Sequence, residues 1–191
     1  MTTRRFGSMF GCGAVAMALA VAAACGAGGS SAATAQAAEP MSCEAIADLA
    51  LAETTITLAE AVPAGPFTPP GANRPLDLPA FCRVAATTDP AVQFEVWLPA
   101  EGWNGKFHTA GNGGMAGVIS YAAMAGALER GYATASTDTG HVRPGAGGFD
   151  ASWALDRPDL IEDFGHRSLH VTAVNGKAIT EAFYGAAPDY A

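Results

Sequence analysis

Residues Gly111 to Gly117 read GNGGMAG, a glycine-rich stretch between a predicted strand and a predicted helix. Such a loop leaves backbone N–H groups uncovered by side chains. Those of Gly113 and Gly114 are therefore candidate donors to an oxyanion that develops during acyl transfer. The same letters also fit a dinucleotide fingerprint: Gly111, Gly113 and Ala116 stand at G-x-G-x-x-A spacing. Asp138 follows at the end of the next predicted strand, about where a ribose-binding acid belongs. A third reading is a tight turn that needs glycine for its backbone alone. The oxyanion reading is preferred over the nucleotide one because a pair of strands with a hairpin signal precedes the motif.

A second constellation is His166 with His170, four apart on a predicted helix, with Glu162 and Asp163 just upstream. That spacing puts both imidazoles on one helix face, where they could share a metal. The Glu that follows the first His in a metalloprotease helix is missing, and no third ligand stands out. Packing and hydrogen bonding are the simpler role, and no metal site is expected. Equally informative is a missing motif: G-x-S-x-G occurs nowhere, and Ser120, Ser136, Ser152 and Ser168 lack its flanking glycines. No catalytic residue is therefore assigned within the 191 residues.

The elements that must position the glycine loop can be read from periodicity and turn signals. Residues 43–51 have helical spacing, with Ile46, Leu49 and Ala50 on one face, and residues 54–57 are β-prone. Six prolines between Pro63 and Pro79 predict irregular structure. Residues 82–88 and 92–98 are strands joined at Asp89-Pro90, a hairpin signal, and residues 106–110 make a short strand into the glycine loop. A helix over 120–130 is closed by Gly131, and a strand over 132–137 precedes Asp138-Thr139-Gly140-His141. A helix from about Gly165 to Tyr184 follows, and Pro188 to Ala191 resembles the start of another strand. Hairpin-linked strands followed by β-α-β-α units imply an α/β fold with a mixed sheet flanked by helices.

The N-terminus is a targeting segment. Arg4 and Arg5 precede the apolar run from Gly11 to Ala24, which is too short to span a bilayer at about 20 residues but fits a signal peptide. Ala35-Gln36-Ala37 is an A-x-A cleavage site, so residues 1–37 are assigned as signal peptide and tether and 38–191 as the domain. Alternatively, Ala22-Ala23-Ala24-Cys25 resembles a lipobox, with lipidation at Cys25 followed by the Gly/Ser-rich stretch from Gly26 to Ala33. The expected location is secreted or periplasmic, with a membrane contact only in the lipid-anchored case. Removing residues 1–37 takes away two Arg and no acidic residue, which moves the net charge from −8 to −10. That acidity argues against a nucleic-acid partner. Cys43 and Cys82 remain, and an even pair in an oxidising compartment reads as one disulfide; two free buried thiols are the alternative.

From Cys43 onward the text resembles bacterial members of the tannase/feruloyl esterase family. The matching stretches, in order, include CEA at 43–45, LPAFCRV at 78–84 and FEVWLP at 94–99. WNGKF at 103–107, GNGGMAG at 111–117, STDTGH at 136–141, DFG at 163–165 and AFYG at 182–185 complete the set. Met115 departs from the aromatic or other apolar residue common at its place. The resemblance implies an α/β-hydrolase fold, a Ser-His-Asp triad with the serine in a G-C-S-x-G-G elbow, and a lid that holds calcium. On that pattern the elbow follows a strand that here would begin near Tyr190, so triad, lid and calcium site are expected beyond residue 191. No cofactor is expected within the chain. Cys43 and Cys82 match an N-terminal disulfide of the family.

The resulting expectation is the N-terminal part of an α/β-hydrolase catalytic domain, truncated before its nucleophile elbow and inactive alone. The whole enzyme would hydrolyse small aromatic-acid esters of the feruloyl or galloyl type. The alternatives are an exported binding module without chemistry, and a nucleotide-binding domain through GNGGMA and Asp138.

Overall fold

The structure is a computed structural model that describes residues 39–142 and 148–191. The signal segment, both expected processing sites and Cys25 lie outside the described residues. Among the described residues, seven strands form two sheets. The main sheet has the order β1 (Thr54–Val62), β4 (Phe81–Thr88), β5 (Val92–Pro99), β7 (Ala133–Thr137) and β6 (Phe107–Ala110). The pairs β1–β4, β4–β5 and β5–β7 are antiparallel, whereas β6 and β7 are parallel and joined through α1 (Tyr121–Leu128). A small hairpin of β2 (Gly65–Phe67) and β3 (Leu76–Leu78) stands apart from it. The expected mixed sheet is present.

Both faces of this sheet are covered. One face carries α3 (Ser168–Tyr184) and a 3₁₀ turn at Glu44–Asp48 over Ile46, Val84, Phe94, Val96 and Ile179. The other carries α1 and the small hairpin over Phe81, Trp97, Met124 and Leu128. The alternation in β5 therefore separates two interiors: Val92, Phe94, Val96 and Leu98 are buried, and so are Glu95 and Trp97. Strands covered on both sides lose the apolar-in, polar-out contrast that marks a half-solvated strand.

Four local expectations need correction. The helical spacing of 43–51 yields a short 3₁₀ turn rather than an α-helix. The β-prone residues 54–57 open a strand that runs on to Val62, and the proline-rich segment contains the β2–β3 hairpin. The last helix does not begin at Gly165. Helix α2 (Pro158–Glu162) leads through a π-helical turn at Asp163–Arg167 into α3, with Pro158 at its first turn, where no N–H is needed. Within the turn, Arg167 Nη1 donates to Asp163 Oδ1 at 2.8 Å. Glycine ends α3, with Gly185 left-handed at φ 69°. Beyond it, Tyr190 forms an isolated parallel bridge to Lys106, with the Phe107 N–H donating to the Tyr190 carbonyl at 2.9 Å.

Glu95 is 3% exposed and accepts four hydrogen bonds across the layers. Arg83 donates from Nε at 2.9 Å and from Nη2 at 2.6 Å, Trp97 Nε1 donates at 2.9 Å and Tyr121 OH at 2.9 Å. Arg83 also reaches Glu60 on β1 at 3.0 Å. Donating to Glu95 raises the Arg83 guanidinium above its usual range; burial, then the Glu95 charge, raises the Tyr121 phenol. On the opposite face, Cys43 and Cys82 form a disulfide with a Cα–Cα distance of 5.6 Å. It fastens the 3₁₀ turn to β4.

Two outcomes follow for stability. Replacing both cysteines with serine should cost about 4 kcal/mol, the chain-entropy value for a loop of this length, read as a lower denaturation midpoint. Glu95→Gln puts an amide N–H against donors that had faced an oxygen, and should cost about 3 kcal/mol. A loss below about 1 kcal/mol in a urea titration would show that the four bonds do not hold the layers together.

Candidate functional site

Because β6 and β7 are parallel, their C-terminal ends open on the same edge of the sheet, and the loops that leave them meet there. The glycine loop is fixed at several points. The Asn112 side-chain amide donates to the Thr137 carbonyl at 2.9 Å, and Ser120 Oγ donates to the Gly111 carbonyl at 3.0 Å. The Ser120 N–H donates to Ser136 Oγ at 2.9 Å, tying the start of α1 to β7. Gly117 lies against the other loop so closely that a Cβ there would be 1.9 Å from the His141 carbonyl oxygen.

The second loop is built around Asp138, Thr139, Gly140 and His141. Asp138 is 5% exposed, and its Oδ1 accepts the Gln93 N–H at 3.0 Å and the Gly140 N–H at 2.9 Å. Burial raises its carboxyl above the usual range, while those N–H groups pull the other way. Gly140 adopts φ 80° and sits where a Cβ would meet Asp163, so the π-helical turn braces this loop from behind. The His141 ring stacks on Trp153 at 3.8 Å and 17°, with Phe164 edge-on at 5.8 Å. Its Nε2 lies 3.2 Å from the Met115 carbonyl, so His141 spans the two loops.

Of the residues predicted from sequence, Gly113 and Gly114 are exposed at the mouth between the loops. Among the described residues, neither N–H has a hydrogen-bond partner. Asp138 is held by backbone N–H groups of its own turn and of β5, the arrangement expected of a structural carboxylate rather than a ribose ligand. His166 and His170 are exposed, and the described residues contain no group of three or more metal-ligating side chains. Ser120, Ser136, Ser152 and Ser168 hydrogen-bond no histidine among the described residues. A cleft of about 440 Å³ lies beside the loops, lined by Gln93, Gly117, Val118, Tyr121, Asp138 and Val142. A larger apolar groove of about 550 Å³ lies by the disulfide and is lined by neither loop. Sequence reasoning missed the aromatic stack on His141, because nothing in the spacing of Trp153 and Phe164 ties them to position 141.

The glycines of the loop differ in what they require. Gly114 has φ 59°, and a Cβ there would stand 2.3 Å from the Gly148 carbonyl oxygen; at Gly113 a Cβ would meet nothing within 4 Å. Gly114→Ala should therefore lose about 2 kcal/mol or more, whereas Gly113→Ala should lose nothing and gain up to about 1 kcal/mol. Thermal melts of the two variants check the contrast, and equal losses would contradict it.

Comparison with known proteins agrees with this geometry. The family described as "Tannase and feruloyl esterase" matches residues 78–191. An uncharacterized esterase of Xanthomonas campestris pv. campestris is 44% identical over 158 residues, covering 81% of this chain and 27% of that protein. A probable feruloyl esterase B-1 of Aspergillus fumigatus is 44% identical over 108 residues, covering 54% of this chain and 19% of that protein. Among solved structures, feruloyl esterase B from Aspergillus oryzae superposes with a TM-score of 0.63 at 33% identity, over 74% of this chain and 29% of that one. The chain thus spans between a fifth and three tenths of the length of these relatives. Its sheet is the N-terminal part of an α/β-hydrolase fold. The chain belongs to the tannase and feruloyl esterase family.

Proposed function

We propose that the protein carrying this chain is an exported serine carboxylic ester hydrolase of small aromatic-acid esters of the feruloyl or galloyl type. Residues 38–191 supply the N-terminal part of its catalytic domain, and the N–H groups of Gly113 and Gly114 form one arm of its oxyanion hole. The observation that carries this reading is the parallel bridge between Lys106 and Tyr190. It starts a further strand directly beside β6, running the same way, so the residues that follow that strand would emerge next to the glycine loop. A nucleophile on the turn after it would face the two exposed N–H groups.

The chemistry asked of the loop is limited. A serine oxygen attacks the ester carbonyl, the carbonyl π electrons move onto oxygen, and that oxyanion needs donors about 2.7–3.1 Å away. Backbone N–H groups fixed before the reaction cost no reorganisation when the charge appears. Removing one such donor costs on the order of 10²–10³ in kcat. The alcohol leaves when the tetrahedral species collapses to an acyl-enzyme, which water then hydrolyses. Nucleophile, base and acid are assigned to residues outside 1–191, as is a lid with its calcium. Lipidation at Cys25, where it occurs, would place the enzyme on a membrane. The acidic mature chain gives nucleic acid no surface to bind.

Labelling with a serine-directed fluorophosphonate tests the assignment. The 191-residue chain should take up no stoichiometric label and should not turn over methyl ferulate. The longer protein that carries it should label at a single serine outside residues 1–191. Label on Ser120, Ser136, Ser152 or Ser168 would move the active site and overturn the proposal.

A further inference from the structure

Asn112 precedes Gly113, and its backbone is held through two of its branches. Upstream, the Gly111 carbonyl, which belongs to the same peptide as the Asn112 N–H, accepts from Ser120 Oγ at 3.0 Å. Through the side chain, Nδ2 donates to the Thr137 carbonyl at 2.9 Å. A carbonyl only accepts, so it must be the amide nitrogen that faces it. Thr137 is a firm anchor: it is fully buried at the end of β7 and pairs with Phe94 on β5. Its hydroxyl donates to the Gln93 carbonyl at 2.8 Å and accepts the Thr139 N–H at 3.1 Å. A tetrahedral Cα whose nitrogen and Cβ are both fixed has the direction of its carbonyl carbon fixed as well. The Gly113 N–H lies in the planar peptide that this carbonyl begins. One torsion, ψ of Asn112, is left to turn that N–H, and beyond it the Gly113 carbonyl accepts the Ala116 N–H at 3.3 Å.

We infer that Asn112 is a positioning residue whose carboxamide, tied to Thr137, aims the Gly113 N–H at the oxyanion. The aim rests on the oxyanion reading of Gly113; the tie does not. A second observation separates this role from ordinary packing. Oδ1 of the same carboxamide is buried and has no hydrogen-bond partner among the described residues. A buried acceptor left unpaired works against stability, so it offsets the one bond that the side chain makes. What that bond supplies is direction. The place asks for a short side chain that ends in a donor, and asparagine meets both needs. A carboxylate at 112 would set two acceptors, its own oxygen and the Thr137 carbonyl, against each other. Alanine would leave the Asn112 backbone held from the Gly111 side alone.

In the 191-residue chain, Asn112→Ala should shift and broaden the Gly113 amide signal in ¹⁵N NMR while the amides of β4 and β5 stay in place. Its melting midpoint should fall less than that of Gly114→Ala, because a bond and an unpaired acceptor leave together. Asn112→Asp should disturb the Gly113 amide further, since its carboxylate repels the Thr137 carbonyl. In the longer protein, Asn112→Ala should lower kcat about 10²-fold with KM unchanged, while one serine still takes up label. That split marks a contact made only in the transition state. A Gly113 amide that ignores both substitutions, or a kcat within about threefold of the parent, would overturn the inference. So would a melting loss as large as that of Gly114→Ala, which would make Asn112 structural. If the amide responds and no serine of the longer protein is labelled, the esterase reading falls and takes the aim with it, leaving the tie. If a serine is labelled and kcat holds, the esterase reading stands and the positioning role falls.

Discussion

The fold is organised around one buried carboxylate. Glu95 projects from the centre of β5 into the layer between the sheet and α1, where an unpaired charge could not persist. Its four hydrogen bonds come from β4, from its own strand and from the first residue of α1. The Tyr121 bond has the largest consequence, because it fixes where α1 begins. The preceding residue, Ser120, is tied in turn to Ser136 and Gly111. The glycine loop is therefore strung between the end of β6 and a helix start whose position the Glu95 network sets. A carboxylate that forms no part of the site decides how taut the site is.

This network explains what was legible in the sequence and what was not. Strands β4 and β5 were readable because Val92, Phe94, Val96 and Leu98 alternate with Gln93, Glu95 and Trp97 and a turn dipeptide separates the two runs. The role of Glu95 was not, since a charged residue in an alternating strand ordinarily faces solvent. Only tertiary placement of Arg83, Trp97 and Tyr121 turns it inward. The extension of β1 to Val62 was equally hidden, because residues 58–62 become a strand by pairing with β4 rather than by their own pattern. The π-helical turn was invisible for a similar reason. Its bond from Arg167 to Asp163 has ordinary i, i+4 spacing, and what distinguishes it is the contact with Gly140, far away in sequence.

For the candidate site, the letters located the loop but could not choose between chemistries. A glycine loop between a strand and a helix, with an acid after the next strand, serves dinucleotides and oxyanions alike. Strand direction does not separate them either, since β6, α1 and β7 form the parallel unit that both uses share. The difference lies in the acid. A ribose ligand must offer its carboxylate outward, whereas Asp138 Oδ1 spends its lone pairs on the N–H groups of Gln93 and Gly140. Such bonding depends on the φ of Gly140 and on the antiparallel neighbour β5, neither of which a local motif specifies.

The glycines carry the last step. Gly114, Gly117 and Gly140 are required by packing: a Cβ at each would collide with a carbonyl oxygen or with Asp163. Gly111 and Gly113 have no such excuse, for their φ is ordinary and a Cβ would meet open space. Open space is the point. Where neither backbone nor packing demands glycine, alanine in its place ordinarily stabilises a chain by up to about 1 kcal/mol, because the unfolded chain has less freedom to lose. Nothing in the described fold requires glycine at 113, and the N–H groups of Gly113 and Gly114 stand unpaired among the described residues. Unpaired donors on a loop with open space around it are what the proposed oxyanion arm asks of these two residues.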